Sequence, residues 1–145
     1  MNKICTSLEQ SKKLIELGID VSTADMFYAD LLVDGNHKYI IHPLESYGFK
    51  TFEETKLKVS ELLDFIPAWS ISALLELMPP YLFEFERGID LNIYPNLSGK
   101  AWHCSYMPNA VENMKNDKFK QITNGDNLVD AAFEMILKLH KLKLL

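Results

Sequence analysis

In the run Tyr81-Leu82-Phe83-Glu84-Phe85-Glu86-Arg87, aromatic side chains recur at every second position. This period of two, bounded by Pro80 and Gly88, predicts a β-strand. After Gly88, the segments Leu91–Tyr94 and Ala101–Tyr106 predict two further strands, joined by a loop at Pro95 to Lys100. The three strands form a predicted meander around which the rest of the chain is organised.

A β-hairpin is predicted upstream of the meander. The apolar runs Met26–Val33 and His37–Pro43 flank Asp34-Gly35-Asn36, and an Asp-Gly turn supplies the positive φ that a tight hairpin needs. The hairpin and the meander together predict an α+β fold, in which helices pack on one face of an antiparallel sheet of about five strands.

Four helices are predicted from apolar spacing and caps. They cover residues 7–17, 52–64, the segment that follows Ser70, and Leu128 to about Lys141. The first has capping-box spacing either at Thr6 and Glu9 or at Ser7 and Gln10, and the last follows the cap Asp126-Asn127. The third is apolar nearly all round and is expected to be buried. Ile66-Pro67-Ala68 separates the second helix from the third, and Met107 to Gly125 is polar and irregular, typical of a surface loop or flap.

Composition predicts one globular domain over residues 1–145. Hydrophobic residues make up 48% and charged residues 24%, which argues against disorder. The net charge of −5 argues against nucleic-acid binding, because such binding depends on cations at phosphates.

The compartment predicted is the cytoplasm. Two cysteines, Cys5 and Cys104, are too few for a disulfide framework. No apolar run reaches the roughly 18 residues that a membrane span needs, and the first residues lack the apolar core of a signal peptide.

No catalytic, cofactor-binding or metal-ligating residue is predicted. His103 and Cys104 are strand neighbours and point to opposite faces, so they cannot converge on one ion. His37 and His42 likewise face opposite sides of one strand. Glu84 and Glu86 share a face and are better explained as the solvent side of a sheet than as an acid–base pair.

Three aromatic residues are candidates for contact with a protein partner: Trp69, Trp102 and Tyr106. Tryptophan and tyrosine dominate the binding energy of many interfaces. Packing in the core is the alternative for each of them.

The last helix predicts self-association. Leu128, Ala132, Met135 and Leu139 line one side, and Val129, Phe133, Ile136 and Leu137 extend beyond it. A helix that covers a sheet needs only one apolar side, so either the Met107–Gly125 loop or a second copy of the chain must cover the remainder. A homodimer through this helix is the interpretation that we favour.

Three segments carry a resemblance to a known group of proteins: residues 6–14, 66–75 and 126–136, which begin Thr6-Ser7-Leu8, Ile66-Pro67-Ala68-Trp69 and Asp126-Asn127-Leu128-Val129. In this order they resemble small uncharacterised proteins of Bacteroides-type gut bacteria and of their phages or mobile elements. The shared features are helix caps and apolar faces, so the resemblance implies no activity and no catalytic residue.

The sequence therefore favours a non-enzymatic protein-binding or accessory protein, related to phages or mobile elements. The alternative is a small enzyme whose site lies between the Met107–Gly125 loop and the sheet, since pockets beside loops commonly hold active sites.

Overall fold

The computed structural model describes residues 3–48, 50–51, 54, 65–82, 89–108 and 121–145. The predicted α+β class is confirmed. The helices are α1 (Leu8–Glu16), α2 (Ile71–Leu77) and α3 (Leu128–Lys141), with short 3-10 turns at Val21–Thr23 and Leu44–Tyr47. The strands are β1 (Met26–Val33), β2 (Asn36–Pro43), β3 (Phe65–Ala68), β4 (Tyr81–Leu82), β5 (Ile89–Pro95), β6 (Trp102–Pro108) and β7 (Gln121–Gly125).

The single sheet of about five strands is wrong, because hairpin and meander belong to two antiparallel sheets. One sheet has the strand order β2-β1-β3 and the other β4-β5-β6-β7. The hairpin takes β3 as its third strand, a segment predicted only to separate two helices. The meander takes β7 from the segment predicted to be irregular.

Several predictions fall on residues that the structure does not describe. The helix over 52–64 lies outside the described residues apart from Glu54, and so do Glu84, Glu86 and most of the Met107–Gly125 segment.

The chain divides into two compact units, Ile4–Ala73 and Met1–Lys3 with Leu74–Leu145. We call them the amino-terminal and carboxy-terminal units. Each is described by itself below, and the single domain over residues 1–145 stays a prediction.

In the amino-terminal unit, both faces of the β2-β1-β3 sheet carry buried side chains near β3. Phe27 and Ala29 pack with Leu44 on one face, while Met26 and Ala68 pack with Cys5 on the other. Successive residues of a strand point to opposite faces of the sheet. Because the first four residues of β1 are all apolar or aromatic, they supply side chains for burial on both faces. Helix α1 begins at the predicted capping box of Ser7 and Gln10 and buries Leu14.

Thr6 connects three parts of the amino-terminal unit. Its N–H donates to the carbonyl of Trp69 (2.9 Å), and its Oγ1 accepts from the N–H of Trp69 (3.1 Å). The same Oγ1 lies 2.8 Å from Oγ of Ser11 in α1, and its carbonyl accepts from the Tyr28 hydroxyl (2.8 Å). Thr6 is completely buried, so all of these polar groups depend on each other for partners.

In the carboxy-terminal unit, α3 packs on the face of β6 and β7 that carries Cys104 and Thr123. Thr123 Oγ1 donates to the carbonyl of Ala131 (2.9 Å). A Cβ at Gly125 would lie 2.3 Å from the Ala131 nitrogen, so only glycine allows this approach of helix to strand. Asp130, in the first turn of α3, accepts from Lys3 Nζ at 2.5 Å. The predicted cap, Asn127, accepts from the Asp130 N–H (3.0 Å).

We expect the substitution Thr6→Val to destabilise the protein by about 1–3 kcal/mol for each polar group left without a partner. Valine keeps the shape of threonine but removes the acceptor of the Trp69 N–H and the partner of Ser11. Urea unfolding followed by circular dichroism measures the change. The matched control is Thr6→Ser, which keeps the hydroxyl and should lose only about 1 kcal/mol with its methyl group. Equal losses for both variants would contradict the role of the hydroxyl.

Candidate functional site

Two of the three predicted partner-contact residues lie in the interior. Trp69 is completely buried, and its Nε1 donates to Thr23 Oγ1 (2.9 Å). Tyr106 is also completely buried, and its hydroxyl donates to the carbonyl of Pro79 (2.5 Å). Trp102 is half-buried at the start of β6. Partner contact at these residues stays a prediction, but burial favours the packing alternative for Trp69 and Tyr106.

Most of the apolar surface that led to the dimer prediction is buried within the single chain. Of the four residues that extend beyond the main apolar side, Val129, Phe133 and Ile136 are buried and Leu137 is half-buried. The structure therefore weakens the reason for placing a second copy there. The homodimer through α3 itself remains an untested prediction.

Among the described residues, no group of three or more histidine, cysteine, aspartate or glutamate side chains could hold a metal ion. His103 and Cys104 point to opposite faces of β6, as predicted: His103 lies opposite Tyr94 and Asn124, whereas Cys104 lies opposite Ile93 and Thr123. Cys5 and Cys104 are both buried, and neither forms a disulfide bond.

A polar row crosses the face of the second sheet opposite α3. Tyr94, His103 and Asn124 are cross-strand neighbours. The His103 ring centroid lies 5.2 Å from that of Tyr94, and His103 Nδ1 is hydrogen-bonded to Asn124 Oδ1. Since the Asn124 oxygen only accepts, Nδ1 of His103 must carry the proton in this bond.

Ser105 lies two residues from His103 on the same face of β6. It is completely buried, and its Oγ has no hydrogen-bond partner among the described residues. A serine nucleophile is activated by a hydrogen bond to its base, and this serine makes none to His103. The row is therefore a polar sheet surface beside a buried hydroxyl, without the geometry of a catalytic pair.

We expect Ser105→Ala to leave the free energy of unfolding unchanged or to raise it by about 1 kcal/mol, because a buried hydroxyl without a partner opposes folding. Thr123→Val on the neighbouring strand is the matched control. It removes a hydroxyl that does have a partner, so it should cost about 1 kcal/mol. Urea unfolding compares the two. A loss above about 1 kcal/mol for Ser105→Ala would mean that this hydroxyl is bound in the folded protein.

Burial raises the pKa of the Cys104 thiol from 9.0 to about 12. A thiol of this kind carries no nucleophilic thiolate near neutral pH. Burial also raises the pKa of Tyr106, which shares this face of β6. Both groups are therefore part of the core rather than of a reactive site.

The raised pKa of Cys104 predicts alkaline destabilisation. The folded protein holds this proton more tightly than the unfolded chain, so the contribution is complete below about pH 9 and is lost as the pH rises toward about 12. We expect Cys104 by itself to lower the free energy of unfolding by about 1.4 kcal/mol per pH unit within this window. Urea unfolding at a series of pH values from about 8 to about 11 measures the slope. Cys104→Ala should reduce it, and an unchanged slope would contradict the assignment.

The candidate contact surface lies instead in the hairpin of the first sheet. Burial along β1 decreases from Met26 and Phe27, which are buried, to Leu32 and Val33, which are exposed. All eight residues of β1 pair with β2, but β3 pairs only with Met26 to Ala29. Among the described residues, the hairpin beyond Ala29 has no paired third strand. We call residues 30–39 the hairpin tip.

Three large apolar side chains are exposed on the hairpin tip. Leu32 is 69% exposed, Val33 46% and Tyr39 40%. Leu32 and Tyr39 share one face of the sheet, because they are paired with His37 and Asp30, respectively. Single exposed apolar residues are normal in proteins, but three within one short hairpin segment indicate a candidate contact surface.

A hydrogen-bonded pair of polar side chains lies within the same face of the hairpin tip. His37 Nδ1 is 2.7 Å from Asp30 Oδ2, with the histidine exposed and the aspartate largely buried. The second carboxylate oxygen of Asp30 is buried without a hydrogen-bond partner among the described residues. No sequence signal identifies Asp30 as the partner of His37.

No protein-family model, curated protein or solved structure matches this chain. Within the described part of the chain, no helix has the length and apolar character of a membrane span.

Proposed function

We propose that the protein is a non-enzymatic binding protein that contacts a protein partner through the hairpin tip. The observation that carries this proposal is the exposure of Leu32, Val33 and Tyr39 at the turn end of the hairpin. Burying apolar side chains of this size against a partner is favourable by about 25 cal/mol for each Å² removed from water.

The chemistry around the three side chains suits a protein surface. Lys38 and Asp34 are exposed beside them, so polar and apolar side chains alternate over this surface, as at many protein interfaces. The net charge of −5 does not favour a nucleic acid as the partner.

The enzyme alternative has weaker support. Its site was predicted between the sheet and the Met107–Gly125 segment, and residues 109–120 of that segment lie outside the described chain. The polar row beside Ser105 provides a histidine and a hydroxyl without a hydrogen bond between them. This alternative stays a prediction.

An accessory role in phages or mobile elements of Bacteroides-type gut bacteria is part of the proposal. It is supported by the resemblance of the segments around Ser7, Trp69 and Asn127 to small proteins of that group. We also place the protein in the cytoplasm, and the absence of a disulfide at the two buried cysteines is what a reducing compartment favours.

Site-specific photo-crosslinking in the producing cell tests the proposal. A photoreactive amino acid replaces Leu32 in the full chain, and adducts are detected by gel shift and identified by mass spectrometry. We expect a discrete adduct, because Leu32 is the most exposed apolar residue of the hairpin tip.

The matched control carries the same photoreactive residue at Leu97. Leu97 is fully exposed on the loop between β5 and β6, away from the hairpin in sequence, and should give no discrete adduct. No adduct at position 32, or the same adduct from both positions, would refute binding through the hairpin tip.

A further inference from the structure

The outer edge of β2 presents an ordered row of backbone hydrogen-bonding groups. Among the described strands, β2 pairs only with β1 and forms one edge of its sheet. Natural edge strands are usually short or carry proline, lysine or a bulge that blocks further pairing. β2 has eight residues, with Lys38 inside it and Pro43 only at its end.

The turn identifies which residues of β2 face outward. Asp34 and Gly35 have φ values of 52° and 77°, as in a two-residue turn of type I′. Such a turn closes with a hydrogen bond between its flanking residues, so Val33 and Asn36 form a hydrogen-bonded pair. Hydrogen-bonded and non-hydrogen-bonded pairs alternate in an antiparallel ladder. His37, Tyr39 and Ile41 therefore direct their N–H and C=O groups away from β1.

We propose that β2 pairs with β2 of a second copy of this chain, antiparallel and centred on Tyr39. The proposal rests on the proposed function and names its partner. His37, Tyr39 and Ile41 are spaced symmetrically about Tyr39. A two-fold axis there pairs His37 with Ile41 of the second copy and Tyr39 with its own equivalent. Each of the three residues then donates one hydrogen bond and accepts one.

The ends of β2 limit the pairing to these three residues. The next outward position is Pro43, which has no N–H to donate. At the other end of β2, the backbone groups of Asn36 point toward β1, and the residues before Asn36 form the turn. The row of outward groups is thus closed at both ends, which favours a two-chain assembly over continued addition of strands.

Charge selects the register. Centred on Tyr39, the pairing places Lys38 opposite Ile40 of the second copy, and no charged side chains of like sign are directly opposed. A shift of the centre to Lys38 would oppose the two lysines, which is destabilising. A shift to Ile40 would place Lys38 opposite His42 and His37 opposite Pro43, leaving the carbonyl of His37 without a donor. β2 contains no acidic residue, so neither shift is compensated by an ion pair within the strand.

The same register covers part of the exposed apolar surface. Tyr39, 40% exposed in the single chain, meets the Tyr39 of the second copy across the two-fold axis. Ile41 of the second copy extends the row formed by His37 and Leu32. Cross-strand aromatic and apolar neighbours of this kind stabilise antiparallel pairs.

Light scattering on the full chain across a concentration series tests the proposal. We expect the mass to rise from 16.7 kDa toward twice that value. Tyr39→Lys should raise the dissociation constant at least about tenfold, because a like-charged pair replaces the aromatic pair at the two-fold axis. Leu97→Lys is the control, on a fully exposed loop residue, and should dimerise like the unmodified chain. Circular dichroism verifies that both variants fold.

A disulfide experiment tests the register. Tyr39→Cys should form a disulfide-linked dimer on oxidation, because directly opposed residues place their Cα atoms about 5.5 Å apart. Lys38→Cys should not, because its equivalent is displaced along the strand. A mass that stays at 16.7 kDa at every concentration, or efficient linkage through position 38 rather than 39, would overturn the proposal. If the chain is monomeric while the Leu32 probe captures a different protein, binding through the hairpin tip stands and self-pairing fails.

Discussion

The amino-terminal unit depends on the pairing of Thr6 with Trp69. Backbone and hydroxyl groups of Thr6 hold the segment after β3, while its carbonyl and hydroxyl also bind Tyr28 of β1 and Ser11 of α1. All of this lies out of contact with water, where an unpaired polar group costs more than a hydrogen bond gains. The constraint therefore acts collectively: the strand, the helix and the chain entering α2 adopt their positions together.

Local features of the fold were predictable because short-range chemistry determines them. The Ser7 capping box, the Asp34-Gly35 turn and the Asn127 cap each use neighbours in sequence, and the structure has all three. The pairing of strands was less accessible. β3 contains Pro67, which removes a backbone donor and is typical of a sheet edge, so the segment lacked the signal of a strand. β7 is largely polar and becomes a strand through its partner, β6.

The candidate site was predictable only in part. The sequence does not show whether an aromatic residue contacts a partner or packs in the core. In the structure, the hydrogen bonds of the polar groups answer this for two of them: Trp69 donates to Thr23 and Tyr106 donates to Pro79, both within the interior. The reverse holds for Leu32 and Val33. Both belong to the apolar run that predicted β1, yet they are exposed, and the described residues of β3 pair only with Met26 to Ala29.

The arrangement of α3 on β6 and β7 has a consequence for biosynthesis. The strand residues that α3 covers, including Cys104 and Thr123, leave the ribosome before the helix does. Until α3 is made, the core of the carboxy-terminal unit is incomplete. The amino-terminal unit, in contrast, consists of one contiguous segment, Ile4 to Ala73. Domains and units generally form in the order of synthesis when their residues are contiguous. The nascent chain thus passes through a stage in which the amino-terminal unit has been synthesised in full, while α3 does not yet cover the apolar face of β6 and β7.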